Sequence, residues 1–343
     1  MAFPDDMPHR LERFLGAQDP RLADVRVSGF EPIVGGMSRA MARFRASYEG
    51  RSLELILRAD PPAGTAILES DRATEWALMS HLHAAGAVSI PRPRWFDGQG
   101  MILGTPAIIM DAVDGTSLVA TSRSRNGEAQ RQLALRLADL AADLVGIPCE
   151  SLPTALPRPA SWERYMDDQI SQWSILERAN PGSDPFMRYV GAWLDTNRPP
   201  PAPLTLVHGD LQIANVLVGS DDHCTLIDWE LAHIGDPRED LGWYRLVGAL
   251  TPPDLIGLDE AAFCTRYCER TGLSAEIVNP VTIAYFTILG SLKVFSGILG
   301  QAATMTRGDV GSTAIAYTIL VQSSVHRVWM GALGVLDAAG STS

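Results

Sequence analysis

The sequence predicts an α+β chain, with a small β-rich N-terminal lobe of five strands and one helix followed by a larger, mostly helical lobe. Three observations predict this. Apolar residues between 24 and 58 fall into short β-type runs, whereas from Glu128 onward the apolar spacing is helical. At 343 residues the chain is long enough to build two lobes and a large core.

Taken in order, residues 9–17 have the spacing of a short amphipathic helix. The runs VRVSGFEPI, AMARFRASYEG and RSLELILRAD then read as strands, the last two joined through a Glu49-Gly50 turn. Between the first two lies Val34-Gly35-Gly36-Met37-Ser38. Glycines let the backbone approach a ligand closely, and successive N–H groups in such a turn can cradle phosphate oxygens. Gly-Gly turns also join many hairpins that bind nothing. Glu69–Ala85 has helical spacing and ends at Gly86. SIPRPRWFDG and PAIIMDAVDG complete the strands, so the first lobe spans residues 1–110, with 111–115 as connector and 116–343 as the second lobe. There the helical patterns are EAQRQLALRLADLAADLVGI, SWERYMDDQISQWSILERA and DPFMRYVGAWLDTN. The first two are split by the proline-rich IPCESLPTALPRPA. After Asp240 helical patterns return through about Leu336.

Composition excludes several functions. Hydrophobic content of 46% and charged content of 20% are those of an ordinary globular protein. A net charge of −12 argues against a nucleic-acid partner, which needs clustered Lys and Arg. Lys293 is the only lysine, so a P-loop of the GxxxxGK[ST] type is excluded. Cys149, Cys224, Cys264 and Cys268 have no metal-type spacing. The N-terminus carries acidic residues and no apolar core segment, so it is not a signal peptide, and a reducing cytoplasm is the expected location. Residues 281–300 are long enough to span a bilayer, but Lys293 lies inside them, and a buried helix is expected instead.

The chemistry concentrates in Leu204–Gly242, LTLVHGDLQIANVLVGSDDHCTLIDWELAHIGDPREDLG. Asp210 and Asn215 are five apart on one loop, and Asp228 follows a short hairpin. Phosphoryl transfer from ATP uses this kind of set: one carboxylate orients the attacking hydroxyl and takes its proton, while an amide oxygen and a second carboxylate hold magnesium. Each residue alone could serve a turn. All three together, after a β-rich lobe with a Gly-Gly turn, point to a site.

HGDLQIANVL followed by LIDWELAHIGDPREDLGW resembles the aminoglycoside phosphotransferase/choline kinase family, and within it the branch related to phosphotransferase domains fused to acyl-CoA dehydrogenases. The resemblance covers roughly residues 25–300 and is most specific at 207–243. It implies a bilobal, protein-kinase-like fold, with ATP and Mg2+ as cofactors. By position, Asp210 matches the catalytic aspartate, and Asn215 and Asp228 match the magnesium ligands. Gly35, Gly36 and Ser38 match the loop over the nucleotide phosphates. Met110, Asp111 and Val113 belong to the hinge whose backbone binds adenine. Asp240 matches an aspartate that supports the catalytic loop, and it could also cap a helix beginning near Leu241. The family's phosphate-binding lysine is missing. Arg58, at the end of the third strand, is its candidate replacement, with Glu75 as first-choice partner and Glu69 as second.

These readings make the chain an ATP- and magnesium-dependent phosphotransferase acting on the hydroxyl of a small molecule. Its acceptor could be a polyamine, drawn by Asp167 and Asp168, or a hydroxyacyl-CoA, drawn by a loop at Arg123–Arg125. Trp162, Tyr165 and Trp173 could line that acceptor pocket or belong to the core. His208 reads as scaffold of the loop, and Glu230 and Asp236 as either magnesium-shell or turn residues. His81, His83 and His233 show no ligand spacing. A non-catalytic nucleotide-binding or scaffold protein is the alternative, supported by the missing lysine. A hydrolase lacks its GxSxG elbow.

Overall fold

The computed structural model describes residues 3–33, 40–60, 71–179, 185–250, 253–305 and 323–335. The predicted phosphate loop (Gly35, Gly36, Ser38) and Glu69 lie outside the described residues. The chain divides into two compact units. The first comprises Met1–Gly115 with Pro153–Ala155 and Thr225–Glu230; the second holds the remainder.

In the first unit, helix α1 (Met7–Gln18) precedes β1 (Arg26–Ile33), β2 (Ala40–Tyr48) and β3 (Arg51–Ala59). Helix α2 (Arg72–Ala85), β4 (Pro93–Asp97) and β5 (Ala107–Asp111) follow. The five strands form one antiparallel sheet in the order β1-β2-β3-β5-β4. Tyr48 pairs with Arg51 across a two-residue turn in which Glu49 (φ 45°) and Gly50 (φ 72°) are both left-handed. That turn type matches the twist of adjoining strands.

Alternation along the strands buries one face of the sheet. Phe44, Leu55, Leu57 and Ile109 pack with Leu11, Phe14 and Leu15 of α1. The opposite face carries Arg58, whose strand partner is Ile108, and α2 packs on that side against β4 and β5. Helix α2 begins at Arg72, three residues later than its apolar spacing suggests. Its N-cap is Asp71, whose carboxylate accepts the Ala73 N–H at 3.0 Å. Gly86, at φ 61°, ends it.

The second unit opens with β6 (Thr116–Ser117) and α3 (Leu118–Arg123), then α4 (Gly127–Val145), α5 (Trp162–Ala179) and α6 (Pro185–Thr196). Four short strands follow in the chain: β7 (Thr205–Val207), β8 (Val216–Val218), β9 (Cys224–Leu226), whose last two residues belong to the first unit, and β10 (His233–Gly235). Helices α7 (Glu239–Leu250), α8 (Glu260–Thr271) and α9 (Pro280–Met305) complete it, and residues 323–335 are helical. Strand β6 pairs with β8, and β7 with β10, both antiparallel.

The core of this unit gathers Met166 and Trp173 of α5, Val190 and Leu194 of α6, and Tyr285, Phe286, Ile288 and Phe295 of α9, with Trp329. Segment 281–300 is therefore a helix that packs into this core through Tyr285, Phe286, Ile288 and Phe295, and among the described residues no helix is long and apolar enough to cross a membrane. Tyr165 and Trp173 belong to this core. Two expectations change. The Arg123–Arg125 stretch is the end of α3 and its following turn, because Ser117 caps that helix by accepting the Ala120 N–H. Helix α7 starts at Glu239, so Asp240 lies within its first turn and is not its N-cap.

Candidate active site

Two constellations stand out, one in each unit. In the first, Arg58 at the end of β3 is only 3% exposed and meets three carboxylates. Its Nη1 pairs with Glu75 of α2, and its Nη2 pairs with Asp228 and with Glu230, the latter at 3.1 Å. Glu75 also receives Arg72, which reaches Asp60 at 2.6 Å. The first-choice partner is thus the one formed. Burial pushes Arg58 down, but the charges of Glu75, Asp228 and Glu230 outweigh it and push it up. Burial pushes Glu75 above the usual carboxylate range, against the two guanidiniums. The Arg58 Nε–H is buried and has no acceptor among the described residues.

Asp228 lies two residues beyond β9 at φ 70°, a left-handed conformation uncommon for a residue with a side chain. Its side chain remains 29% exposed although one oxygen faces Arg58. Glu230 is almost buried, so it belongs to the Arg58 cluster. At the predicted hinge, Met110 pairs with Ile56, and the Asp111 N–H donates to Arg92 O at 3.0 Å. The Asp111 carboxylate pairs with Arg94, and the chain continues through Ala112, whose N–H reaches Glu54 O at 2.9 Å, to Val113.

In the second unit the loop after β7 is pinned from several sides. Both oxygens of buried Asp240 accept backbone N–H groups, from His208 at 2.8 Å and Gly209 at 2.9 Å. Burial raises Asp240 to about 6, and those two N–H groups hold it back from rising further. Gly209 has φ 79°, and a Cβ there would run into the Leu231 carbonyl, so both backbone and space require glycine. His208 accepts the Asp210 N–H on Nδ1 at 3.3 Å, consistent with a scaffold role.

The Asp210 carboxylate is held by three donors. Oδ1 accepts from Trp243 Nε1 at 2.7 Å and from Gln212 Nε2 at 2.8 Å, and Oδ2 accepts from Asn215 Nδ2 at 2.7 Å. Asn215 Nδ2 also donates to Asp210 O at 3.0 Å, which commits its amide nitrogen and leaves Oδ1 as the atom that can meet a cation.

Sequence reasoning missed Trp243, Gln212 and Lys293 at this loop. Trp243 lies three residues after Asp240, which in a helix places the two on one face, so a signal existed. Lys293 donates to Gly209 O at 3.0 Å, and a contact across 84 residues leaves no local signature.

The remaining candidates fall elsewhere. Asp236 is fully buried against Arg238 and accepts from Trp162 Nε1 at 2.7 Å, a structural role. Asp167 and Asp168 pair with Arg198 and Arg164, and Arg125 pairs with Asp222. His233 sits between Tyr165 Oη at 3.1 Å and Glu239 at 3.3 Å. Burial pushes it down, but the hydrogen bond and charge of Glu239 push it up further. Among the described residues no three His, Cys, Asp or Glu side chains could hold a metal together. Asn215 Oδ1 in the second unit and the Asp228 carboxylate in the first are each hard oxygen donors of the kind magnesium takes.

Comparison with known proteins follows the same line. The model of a family described as the phosphotransferase enzyme family matches residues 29–271. The acyl-CoA dehydrogenase family member 11 of Pongo abelii is 26% identical over 257 residues, which are 68% of this chain and 32% of that protein. The chain spans about a third or less of the length of the curated relatives it matches. In fold it is similar to a Ralstonia eutropha protein provisionally assigned as an aminoglycoside phosphotransferase (TM-score 0.69, 19% identity, 95% of this chain and 98% of that one). It is also similar to an ethanolamine kinase of Plasmodium vivax (TM-score 0.61, 13% identity, 95% and 89%). The five-stranded antiparallel sheet and the mostly helical second unit are those of this kinase-like fold.

Proposed function

The chain belongs to the phosphotransferase enzyme family of small-molecule kinases, and from that premise we propose that it transfers the γ-phosphoryl group of ATP, with magnesium, to a hydroxyl of a small metabolite. The observation that carries this reading is the Asp210 carboxylate, held by Trp243, Gln212 and Asn215 on a loop that Asp240 fixes. A carboxylate so oriented can align an alcohol for attack, and positioning is the larger part of this chemistry.

In the proposed reaction the acceptor hydroxyl donates its hydrogen bond to Asp210. As its oxygen bonds to the γ-phosphorus, the bond from that phosphorus to the leaving oxygen of ADP breaks, and the hydroxyl proton passes to Asp210. Asn215 Oδ1 and the Asp228 carboxylate are assigned the magnesium, which when bound neutralises charge on the phosphates. Arg58, with its buried Nε–H and its partner Glu75, is assigned the role of the family's lysine, a phosphate ligand that stays charged. Gly35, Gly36 and Ser38 are assigned to the phosphates, and the backbone at Met110, Asp111 and Val113 to the adenine.

The acceptor is proposed as a hydroxyl-bearing metabolite, with hydroxyacyl compounds ahead of polyamines. Asp167 and Asp168, which would draw a polyamine, and Arg125, which would draw a hydroxyacyl-CoA, each already have an ion-pair partner, so the ranking rests on the family branch the sequence resembles. A screen of ADP release spanning aminoglycosides, hydroxyacyl-CoAs and amino alcohols tests the proposal. Turnover with one class supports it. No turnover with any, together with no thermal stabilisation by ATP and magnesium, favours a scaffold that kept the fold.

A further inference from the structure

One basic position stands apart from all others in this chain. Of its 28 Lys and Arg residues, 27 are arginine, and the single lysine is Lys293. That lysine lies in α9, and its Nζ donates to the carbonyl of Gly209, the residue before Asp210, at 3.0 Å. The same ammonium stands 5.3 Å from the centroid of the Trp243 ring, and the Trp243 indole N–H is a donor to Asp210 Oδ1 at 2.7 Å.

We infer that Lys293 and Trp243 form a positioning pair for the aspartate that takes the acceptor proton, an inference that rests on the phosphotransfer reading of Asp210. Two physical routes run from the ammonium to the carboxylate. Along the backbone, the Gly209–Asp210 peptide is held at both edges: its C=O by Lys293 and its N–H by His208 Nδ1 at 3.3 Å. Fixing that plane fixes the direction in which the Asp210 side chain leaves the loop. Through the indole, a cation near the ring draws electron density from it and makes the N–H a stronger donor to the carboxylate.

Charge density distinguishes this lysine from the arginines of the rest of the chain. Lys293, Gly209, Trp243, Gln169, Glu239 and Phe286 line a cavity of only about 30 Å³. A compact ammonium brings a point charge to the carbonyl and the ring, whereas a planar guanidinium spreads its charge. The charge reaches the neighbouring acids as well, holding Glu239 and Asp240 down, after the larger effects of burial and hydrogen bonding on each.

The test combines the Trp243 indole resonance with steady-state kinetics on the full chain. In protein labelled with ¹⁵N-tryptophan, Trp243→Phe identifies the indole N–H signal of Trp243. Lys293→Gln is expected to move that signal, and to lower kcat by about 10-fold or more while the KM values for ATP and acceptor stay within about 2-fold. Lys293→Arg is expected to restore less than half of the lost kcat. An unmoved signal and an unchanged kcat in Lys293→Gln would overturn the inference. The reading of Asp210 fails separately: Asp210→Asn with full turnover refutes phosphotransfer through Asp210, while the indole signal still decides the Lys293 contact. If the Lys293 variants do not fold, acetylating the folded wild-type protein neutralises its only lysine, and the same shift and loss are expected. Reductive methylation, which keeps the charge, should retain most activity, and equal loss with both reagents would overturn the role of the charge.

Discussion

Asp240 is a buried carboxylate raised to about 6 that nevertheless accepts two backbone N–H groups. Its folded value lies above the 3.8 of a free aspartate, so its contribution to stability is complete below about pH 3.8 and is lost as pH rises through about 6. Asp240→Asn should remove that segment of the stability–pH curve, measured by denaturant unfolding between pH 4 and 7. The variant keeps one acceptor but turns the second into a donor facing an N–H, so an activity loss of about 10-fold to 100-fold is expected from the displaced loop. Arg58 gives a second prediction at this scale. Arg58→Met leaves Glu75 and Glu230 buried beside Asp228 without their shared cation, and a loss of about 3–5 kcal/mol in unfolding free energy is expected. Arg58→Lys should keep most of that stability and instead raise the KM for ATP, because one ammonium replaces a fork that reaches three carboxylates.

At the scale of elements, the decisive feature is the turn between β7 and the Asp210 loop. Gly209→Ala forces a Cβ into the Leu231 carbonyl at a positive φ, and should cost about 2 kcal/mol or more of stability, seen as a lowered midpoint in urea. What the sequence made readable and what it hid divide along the same lines. The strands of the first unit, helix α2 and the spacing of Asp210 and Asn215 were legible because each is a local pattern: alternation, helical period, or a loop five residues long. Glu75 was legible as the partner of Arg58 only through the family resemblance, which pairs that strand position with a glutamate on the following helix. Lys293 on Gly209 and Glu230 on Arg58 were not, since contacts across 84 and 172 residues are set by packing and leave no period to read. The start of α2 was misplaced because an N-cap aspartate outweighed apolar spacing, and α3 was missed because six residues are too few to show a helical period.

For the whole molecule, the family assignment and the fold rest on independent grounds: a family match across residues 29–271, and similarity to kinase-like structures at low identity. Each compact unit carries its own part of the proposed chemistry, Arg58, Glu75 and Asp228 in one, Asp210, Asn215 and Asp240 in the other. The claim that joins them is phosphoryl transfer with Asp210 receiving the acceptor proton. It is tested most directly by comparing acceptor-dependent ADP release in the wild-type chain and in Asp210→Asn at saturating ATP and magnesium. The account predicts a loss of kcat of about 1,000-fold, the scale of general-base catalysis combined with lost alignment, with the KM for ATP nearly unchanged. Turnover by Asp210→Asn at the wild-type rate would contradict it.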